Sequence, residues 1–139
     1  MPIPFLPDVK TVAVVGASRD PNKWGYKVFV TLKEKYPDVR VYPINPKADE
    51  IAGSKVYPSL EDLPEVPDLV VTVVKPEVTE KVVKTAKKIG VKYIWMQPGS
   101  ESESAIEEAE KANIKVFHHT CIVESSDAGT MVPFKLRRD

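Results

Sequence analysis

Three stretches of the chain hold residues whose chemistry can be named from type and spacing. Gly16-Ala17-Ser18 closes an apolar run, and Gly25 follows a polar loop. Small residues and backbone N–H groups at such a turn let a phosphate approach closely. Arg19 and Lys23 add positive charge to the loop, and Trp24 offers a ring that can stack on a base. The spacing is not Gly-x-Gly-x-x-Gly, so glycines alone name no dinucleotide. The second stretch, Asn45-Pro46-Lys47, ends another apolar run. The third holds Cys121, the only thiol, next to His118 and His119. Cys121 reads either as a small buried hydrophobe or as a thiolate whose pKa an imidazole lowers. Alternation along a strand sends His118 and His119 to opposite faces, so only one can serve Cys121 and the pair is a poor chelate. With 2 histidines and 1 cysteine in all, no metal site is expected. Neither a Gly-x-Ser-x-Gly elbow nor a Walker sequence occurs, and the acidic residues fall mostly on helix faces. No catalytic residue is expected.

These stretches sit where an alternating pattern of elements would place them. Apolar, β-branched runs at Thr11–Val15, Val39–Ile44, Leu69–Val74, Lys92–Met96 and Lys115–His118 read as strands. Helical spacing separates them. Val28, Phe29, Leu32 and Tyr36 mark a helix from about Trp24 to Pro37; Val78, Val82, Ala86 and Ile89 mark one that stops at Gly90. Ser100 and Glu103 read as a capping box before a third helix with Ala105, Ile106, Ala109 and Ala112 inward. Ser59 with Asp62 caps a short helix, and Pro43 points to an edge position for the second strand. The expected fold is a Rossmann-like, doubly wound α/β domain: a mainly parallel five-stranded sheet with helices on both faces, formed by residues 1–139 as one unit. The tail from Ile122 to Asp139 is poorly patterned and is expected to wrap the surface.

In such sheets ligands bind beyond the carboxyl ends of the strands, where strand order reverses. The strand-ending residues are Gly16-Ala17-Ser18, Asn45-Pro46-Lys47, Lys75-Pro76, Gln97-Pro98-Gly99 and Thr120-Cys121. An NAD site wants Asp or Glu after the second strand, for the ribose hydroxyls. Lys47 favours an extra phosphate on the ribose instead, as in NADP or coenzyme A.

Composition excludes several classes. The chain carries 20 basic and 20 acidic side chains, a net charge of zero. General nucleic-acid binders usually have a basic excess. No run approaches the length of a membrane span, and Met1-Pro2-Ile3-Pro4-Phe5 is not a signal peptide. A cytoplasmic location follows as the expectation. Thirteen prolines against six glycines, with few amide side chains, point to a heat-adapted source.

The chain resembles the small, single-domain coenzyme A-binding proteins, related to the nucleotide-binding domain of the succinyl-CoA synthetase α subunit. The resemblance runs from Val12 to Cys121. It rests on Val15-Gly16-Ala17-Ser18 with Gly25, Pro43-Ile44-Asn45-Pro46, Ile51-Ala52-Gly53 before Val56-Tyr57-Pro58-Ser59-Leu60, Pro67-Asp68-Leu69-Val70, Pro76, Trp95-Met96-Gln97-Pro98-Gly99 and Cys121. It implies a Rossmann fold that holds coenzyme A or an acyl-CoA. Gly16, Ala17 and Ser18 would line the pyrophosphate, with Arg19 and Lys23 as extra charges. Asn45, Pro46 and Lys47 would meet the adenosine side, Val74, Lys75 and Pro76 would border the adenine, and Gln97, Pro98 and Gly99 would flank the far side. The synthetase subunit's phosphorylated histidine lies beyond this domain, so no ligase chemistry is expected here. The expected role is a binding or regulatory protein, with a homodimer or an unidentified protein partner open. The alternatives are an NADP-linked oxidoreductase and a thiol–disulfide enzyme in which Cys121 exchanges with the thiol of coenzyme A.

Overall fold

A computed structural model describes residues 6–123. The expected surface-wrapping tail lies almost wholly outside these residues. Strand β1, Thr11–Val15, is buried along its whole length, which its unbroken β-branched sequence requires. Helix α1 spans Trp24–Lys35, and β2 spans Arg40–Ile44. A hairpin of β3 (Glu50–Ile51) and β4 (Ser54–Lys55) follows, turning through Ala52 and Gly53, both at positive φ. Next come a 3-10 turn at Leu60–Asp62, β5 (Leu69–Thr72), α2 (Pro76–Ile89), β6 (Tyr93–Met96), α3 (Glu103–Lys111) and β7 (Lys115–Phe117).

Five strands form a parallel sheet in the order β2-β1-β5-β6-β7, and β3-β4 stands apart. The order reverses between β1 and β5, which is the switch point of a doubly wound, Rossmann-like fold. Asp68 fixes this junction from below. Its carboxylate accepts the backbone N–H groups of Lys10 and Thr11 and the Thr11 hydroxyl, tying the starts of β1 and β5 together. Strand β2 lies at the sheet edge, as Pro43 requires.

The pleat sorts the core into two layers. Val12, Val14, Leu69, Val71, Trp95 and Phe117 face α1, meeting Val28, Phe29 and Leu32. Ala13, Val15, Val70, Ile94 and Met96 face α2 and α3, meeting Val82, Val83, Ala86, Ala105 and Ala109. Helices therefore cover both faces.

Four local expectations are corrected. The strand expected at Leu69–Val74 stops at Thr72. Val73 still donates its N–H to Val15 O at 2.9 Å, but the chain then turns toward α2. Ser102, not Ser100, caps α3 by accepting the Ala105 N–H. Ser100 is buried against β5, its hydroxyl 2.9 Å from Thr72 Oγ1 and 2.8 Å from Gln97 O, so it cannot cap a helix beginning at Glu103. Ser59 donates to the Asp62 carboxylate but makes no side-chain cap on a backbone N–H. Finally, Val78 is 40% exposed, while Thr79 and Val83 are buried. The buried stripe of α2 runs through Thr79, Val82, Val83 and Ala86, which leaves Val78 outside it.

Candidate functional site

The switch point is built from backbone fitted against backbone. Gly16 has φ +95°, and a Cβ there would lie 2.3 Å from Val73 O. A Cβ on Gly25 would lie 2.0 Å from Gly16 O. Both contacts are closer than any side chain allows: glycine at 16 lets the end of β1 lie against the end of β5, and glycine at 25 lets the start of α1 press onto the end of β1. Gly16 also donates its N–H to Ile44 O at 3.1 Å. The α1 N-terminus receives no side-chain cap, and its first turn holds no carboxylate. The partial positive charge of the helix end is thus not offset locally. The loop between the glycines is shaped by its own polar groups: Asp20 N–H donates to Ser18 Oγ and Asn22 N–H to Asp20 Oδ1, both at 3.0 Å. Arg19, Lys23 and Trp24 are exposed on it.

Two clefts flank this junction on opposite faces of the sheet. The first, about 290 Å³, lies on the α2 face and is walled by Gly16, Asn45, Pro46, Val74, Val78 and Lys81, among others. Asn45 holds its rim together. Its Nδ2 donates to Ala17 O at 2.8 Å, and its Oδ1 accepts the Lys47 N–H at 2.7 Å. The second cleft, about 200 Å³, is lined by Trp24, Val73, Gln97, Pro98 and Cys121. Val73 packs with the α1-face core and Val74 with the α2-face core, so consecutive residues divide the two clefts.

Side chains, rather than backbone, build the rim beyond β6 and β7. Gln97 is buried; its Nε2 donates to Cys121 Sγ at 3.3 Å, and its Oε1 accepts the Ile122 N–H at 2.7 Å. Trp95 is wholly buried, and its indole N–H donates to Thr120 O at 2.8 Å. Glu101 accepts the N–H of Gly99 at 2.8 Å and that of His119 at 3.1 Å, joining the two strand ends. The expectation that His118 and His119 diverge is corrected. Strand β7 ends at Phe117 and His119 takes φ +62°, so alternation no longer applies and the two Nδ1 atoms meet in a hydrogen bond. Burial, and then the neighbouring imidazole, hold the His118 pKa below its ordinary value, against an upward pull from Glu101. Among the described residues no cluster of three or more metal-ligating side chains occurs.

The sequence-derived residues thus divide. Gly16, Asn45, Pro46 and Val74 line the α2-face cleft; Trp24, Gln97, Pro98 and Cys121 line the other. Ser18, Arg19, Lys23, Lys47, Lys75 and Gly99 lie on the loops at the strand ends, and Pro76 opens α2. Ala17 is fully buried, leaving only its backbone for the site, and Gly25 is buried beneath Gly16. Sequence reading missed Val78, Lys81 and Thr85 on α2, and Pro58-Ser59-Leu60. The i, i+3, i+7 spacing of Val78, Lys81 and Thr85 was the available signal for one helix face, masked because Lys81 reads as part of the wet face.

Fold and clefts together define a doubly wound α/β domain with its candidate site at the switch point. The model of the CoA binding domain family matches residues 10–126, and the chain belongs to that family. Among curated relatives, the α subunit of ADP-forming acetate–CoA ligase II from Pyrococcus furiosus is 31% identical over 121 residues, covering 80% of this chain and 26% of the relative. The ADP-forming acetate–CoA ligase of Methanocaldococcus jannaschii is 38% identical over 121 residues, covering 81% of this chain and 17% of the relative. The chain therefore spans about a quarter or less of the length of these relatives. A solved structure of a conserved hypothetical protein from Pyrococcus furiosus superposes with TM-score 0.77 at 40% identity, covering 84% of this chain and 98% of that one. A hypothetical protein from Pyrococcus horikoshii OT3 gives TM-score 0.84 at 31% identity, covering 92% and 95%. Among the described residues no helix is long and apolar enough to cross a membrane.

Proposed function

We propose that this protein binds coenzyme A or an acyl-CoA across the switch point, as a binding or regulatory protein without catalytic residues of its own. One observation carries the reading: two clefts open on opposite faces of the sheet, one walled by Gly16 and Val74 and the other by Trp24 and Val73, with the close Gly16–Gly25 contact at the same strand ends. That geometry suits an elongated ligand with a base at one end, a diphosphate in the middle and an uncharged arm at the other. The adenine lies in the α2-face cleft against Pro46, Val74 and Val78, with Lys75 and Pro76 at its border. The diphosphate crosses Gly16-Ala17-Ser18 at the start of α1, where the helix end favours an anion and Arg19 and Lys23 supply charge. Lys47, with Lys81 across the cleft, meets the ribose phosphate. The thiol arm descends past Gln97, Pro98 and Gly99 toward Cys121. The protein works in the cytoplasm, as a homodimer or with a protein partner.

Native mass spectrometry of freshly purified protein should reveal a co-purifying ligand with the mass of coenzyme A or a derivative. Titration calorimetry should rank coenzyme A above 3′-dephospho-CoA, NADP and NAD. Absence of both binding and thermal stabilisation at millimolar coenzyme A would sink the reading. Thiol–disulfide exchange is a second reading, supported by Cys121 Sγ on the wall of the α1-face cleft with Gln97 Nε2 at 3.3 Å. There the Cys121 thiolate attacks an oxidised coenzyme A disulfide, forming a protein mixed disulfide and releasing the other thiol. Protein incubated with coenzyme A disulfide should then gain one reducible coenzyme A adduct, absent in Cys121→Ala.

A further inference from the structure

The α1-face cleft contains more information than the position of a thiol. Its described lining is Trp24, Val73, Gln97, Pro98 and Cys121, with no Lys, Arg, His, Asp or Glu among them. Gln97 is its most polar side chain, yet both ends of the carboxamide are turned to the Cys121 segment, one on Sγ and one on the Ile122 N–H. The other lining residues, Trp24, Val73, Pro98 and Cys121, carry no charged side chain. At about 200 Å³ the cleft is smaller than the roughly 300–1,000 Å³ that encloses a drug-sized ligand. It has room for a fragment.

We infer that this cleft selects the acyl group of a bound thioester, accepting a short uncharged acyl chain and excluding one that ends in a carboxylate, with Trp24 as the specificity-determining wall. The inference rests on the coenzyme A reading above. If the diphosphate lies over Gly16, the thioester end reaches the cleft beside Trp24, and the chain beyond the sulfur meets described walls that carry no charge and are mainly apolar. Burying each methylene there favours binding by about 0.8 kcal/mol, roughly a fourfold gain per carbon, until the space is filled. A terminal carboxylate loses its water and finds no cation among the described lining residues, which is strongly unfavourable. Lys27 is the nearest cation the ring contacts show; its Nζ is 5.3 Å from the Trp24 centroid, and it is not part of the lining. Trp24 itself is 51% exposed and lines the cleft, so its ring is available to cover a ligand.

The test is calorimetric titration of the protein with coenzyme A, acetyl-CoA, butyryl-CoA and succinyl-CoA, repeated with Trp24→Ala. Butyryl-CoA should bind about fivefold or more tighter than coenzyme A, and succinyl-CoA about tenfold weaker than butyryl-CoA. In Trp24→Ala the butyryl-to-CoA affinity ratio should fall toward one, whatever happens to the absolute affinity. Trp24→Ala keeps the core, since only Trp95 of the two tryptophans is buried. For the same reason, acrylamide quenching of the wild-type fluorescence should weaken when butyryl-CoA is added, because the accessible indole is Trp24. Equal binding of all four ligands, preference for succinyl-CoA, or an unchanged ratio in Trp24→Ala would each overturn the inference while leaving coenzyme A binding intact. Failure of every ligand to bind would overturn the underlying reading and this inference together.

Discussion

The two ends of the candidate site are held by different means. At the switch point, Gly16 and Gly25 bring main chain against main chain, and the close contacts are to carbonyl groups. At the ends of β6 and β7, loops are tied by Gln97, Trp95 and Glu101, each of which reaches a backbone group or sulfur of another segment. A backbone-built region has one geometry and fails abruptly when a Cβ is added. A side-chain-built region can lose one bond and relax. On the coenzyme A reading proposed above, the first would hold the diphosphate common to the ligands and the second the end where they differ.

The largest effect should come from Gly25→Ala. The new Cβ would sit 2.0 Å from Gly16 O, and main chain must move to admit it. Overpacking of this kind costs about 3 kcal/mol or more, and thermal unfolding should fall by roughly 10 °C with coenzyme A binding lost. Gly99→Ala makes the matching test at the other end. Gly99 has φ +94° but nothing within 4 Å of a Cβ, so only the backbone strain of about 1–2 kcal/mol applies. Equal losses in the two variants would break the distinction between the regions.

Gln97→Leu comes next. It leaves the buried Ile122 N–H without its acceptor and removes the donor to Cys121 Sγ. Losing these bonds should cost about 2 kcal/mol. Hydrogen exchange should place the damage: the Ile122 amide should exchange faster, while that of Gly16, bonded to Ile44 O, keeps its protection. Faster exchange at both sites would show that the ends are coupled rather than independent.

Lys47→Ala touches neither scaffold and should alter only affinity. Coenzyme A should bind about tenfold more weakly, a loss of about 1.4 kcal/mol, with 3′-dephospho-CoA nearly unaffected. Equal losses for the two ligands would remove Lys47 from the ribose phosphate.

The same contrast explains what the sequence made legible. The strands, the helices between them and the Gly16–Gly25 turn follow from β-branched runs, helical spacing and glycine placement, all local properties, whereas the strand order is not read from the sequence and comes from the structure. Asn45, Pro46, Gln97 and Pro98 could be placed at the clefts because strand ends share one edge of a parallel sheet. Gln97 as a tie to Cys121 and Ile122, Glu101 as a bridge between Gly99 and His119, and Ser100 buried on Thr72 depend on partners distant in the chain. Their residue types fit a solvated turn equally well. Val78 was misread because the buried stripe of α2 runs through Thr79, a polar residue that an apolar pattern passes over.

The smallest effect separates the regions by pH. His118 is buried against His119, and its pKa is held below the ordinary value of 6.5. The native state therefore binds this proton less readily than the unfolded chain. Its contribution to stability is complete above pH 6.5 and declines as pH falls from there toward the depressed native value, below which both states are protonated. Glu101 works against the shift. Melting curves between pH 8 and pH 5 should show this decline in the wild type and a shallower one in His118→Asn, after the shared carboxylate background is subtracted. The loosening should be local: exchange at Ile122 should accelerate as pH falls, relative to the intrinsic amide rate, while Gly16 follows the intrinsic rate alone. A contribution that instead grew as pH fell would mean that Glu101 holds His118 charged. The β7 end would then be an ion pair rather than a neutral imidazole contact, and its side-chain ties would be stronger in acid, not weaker.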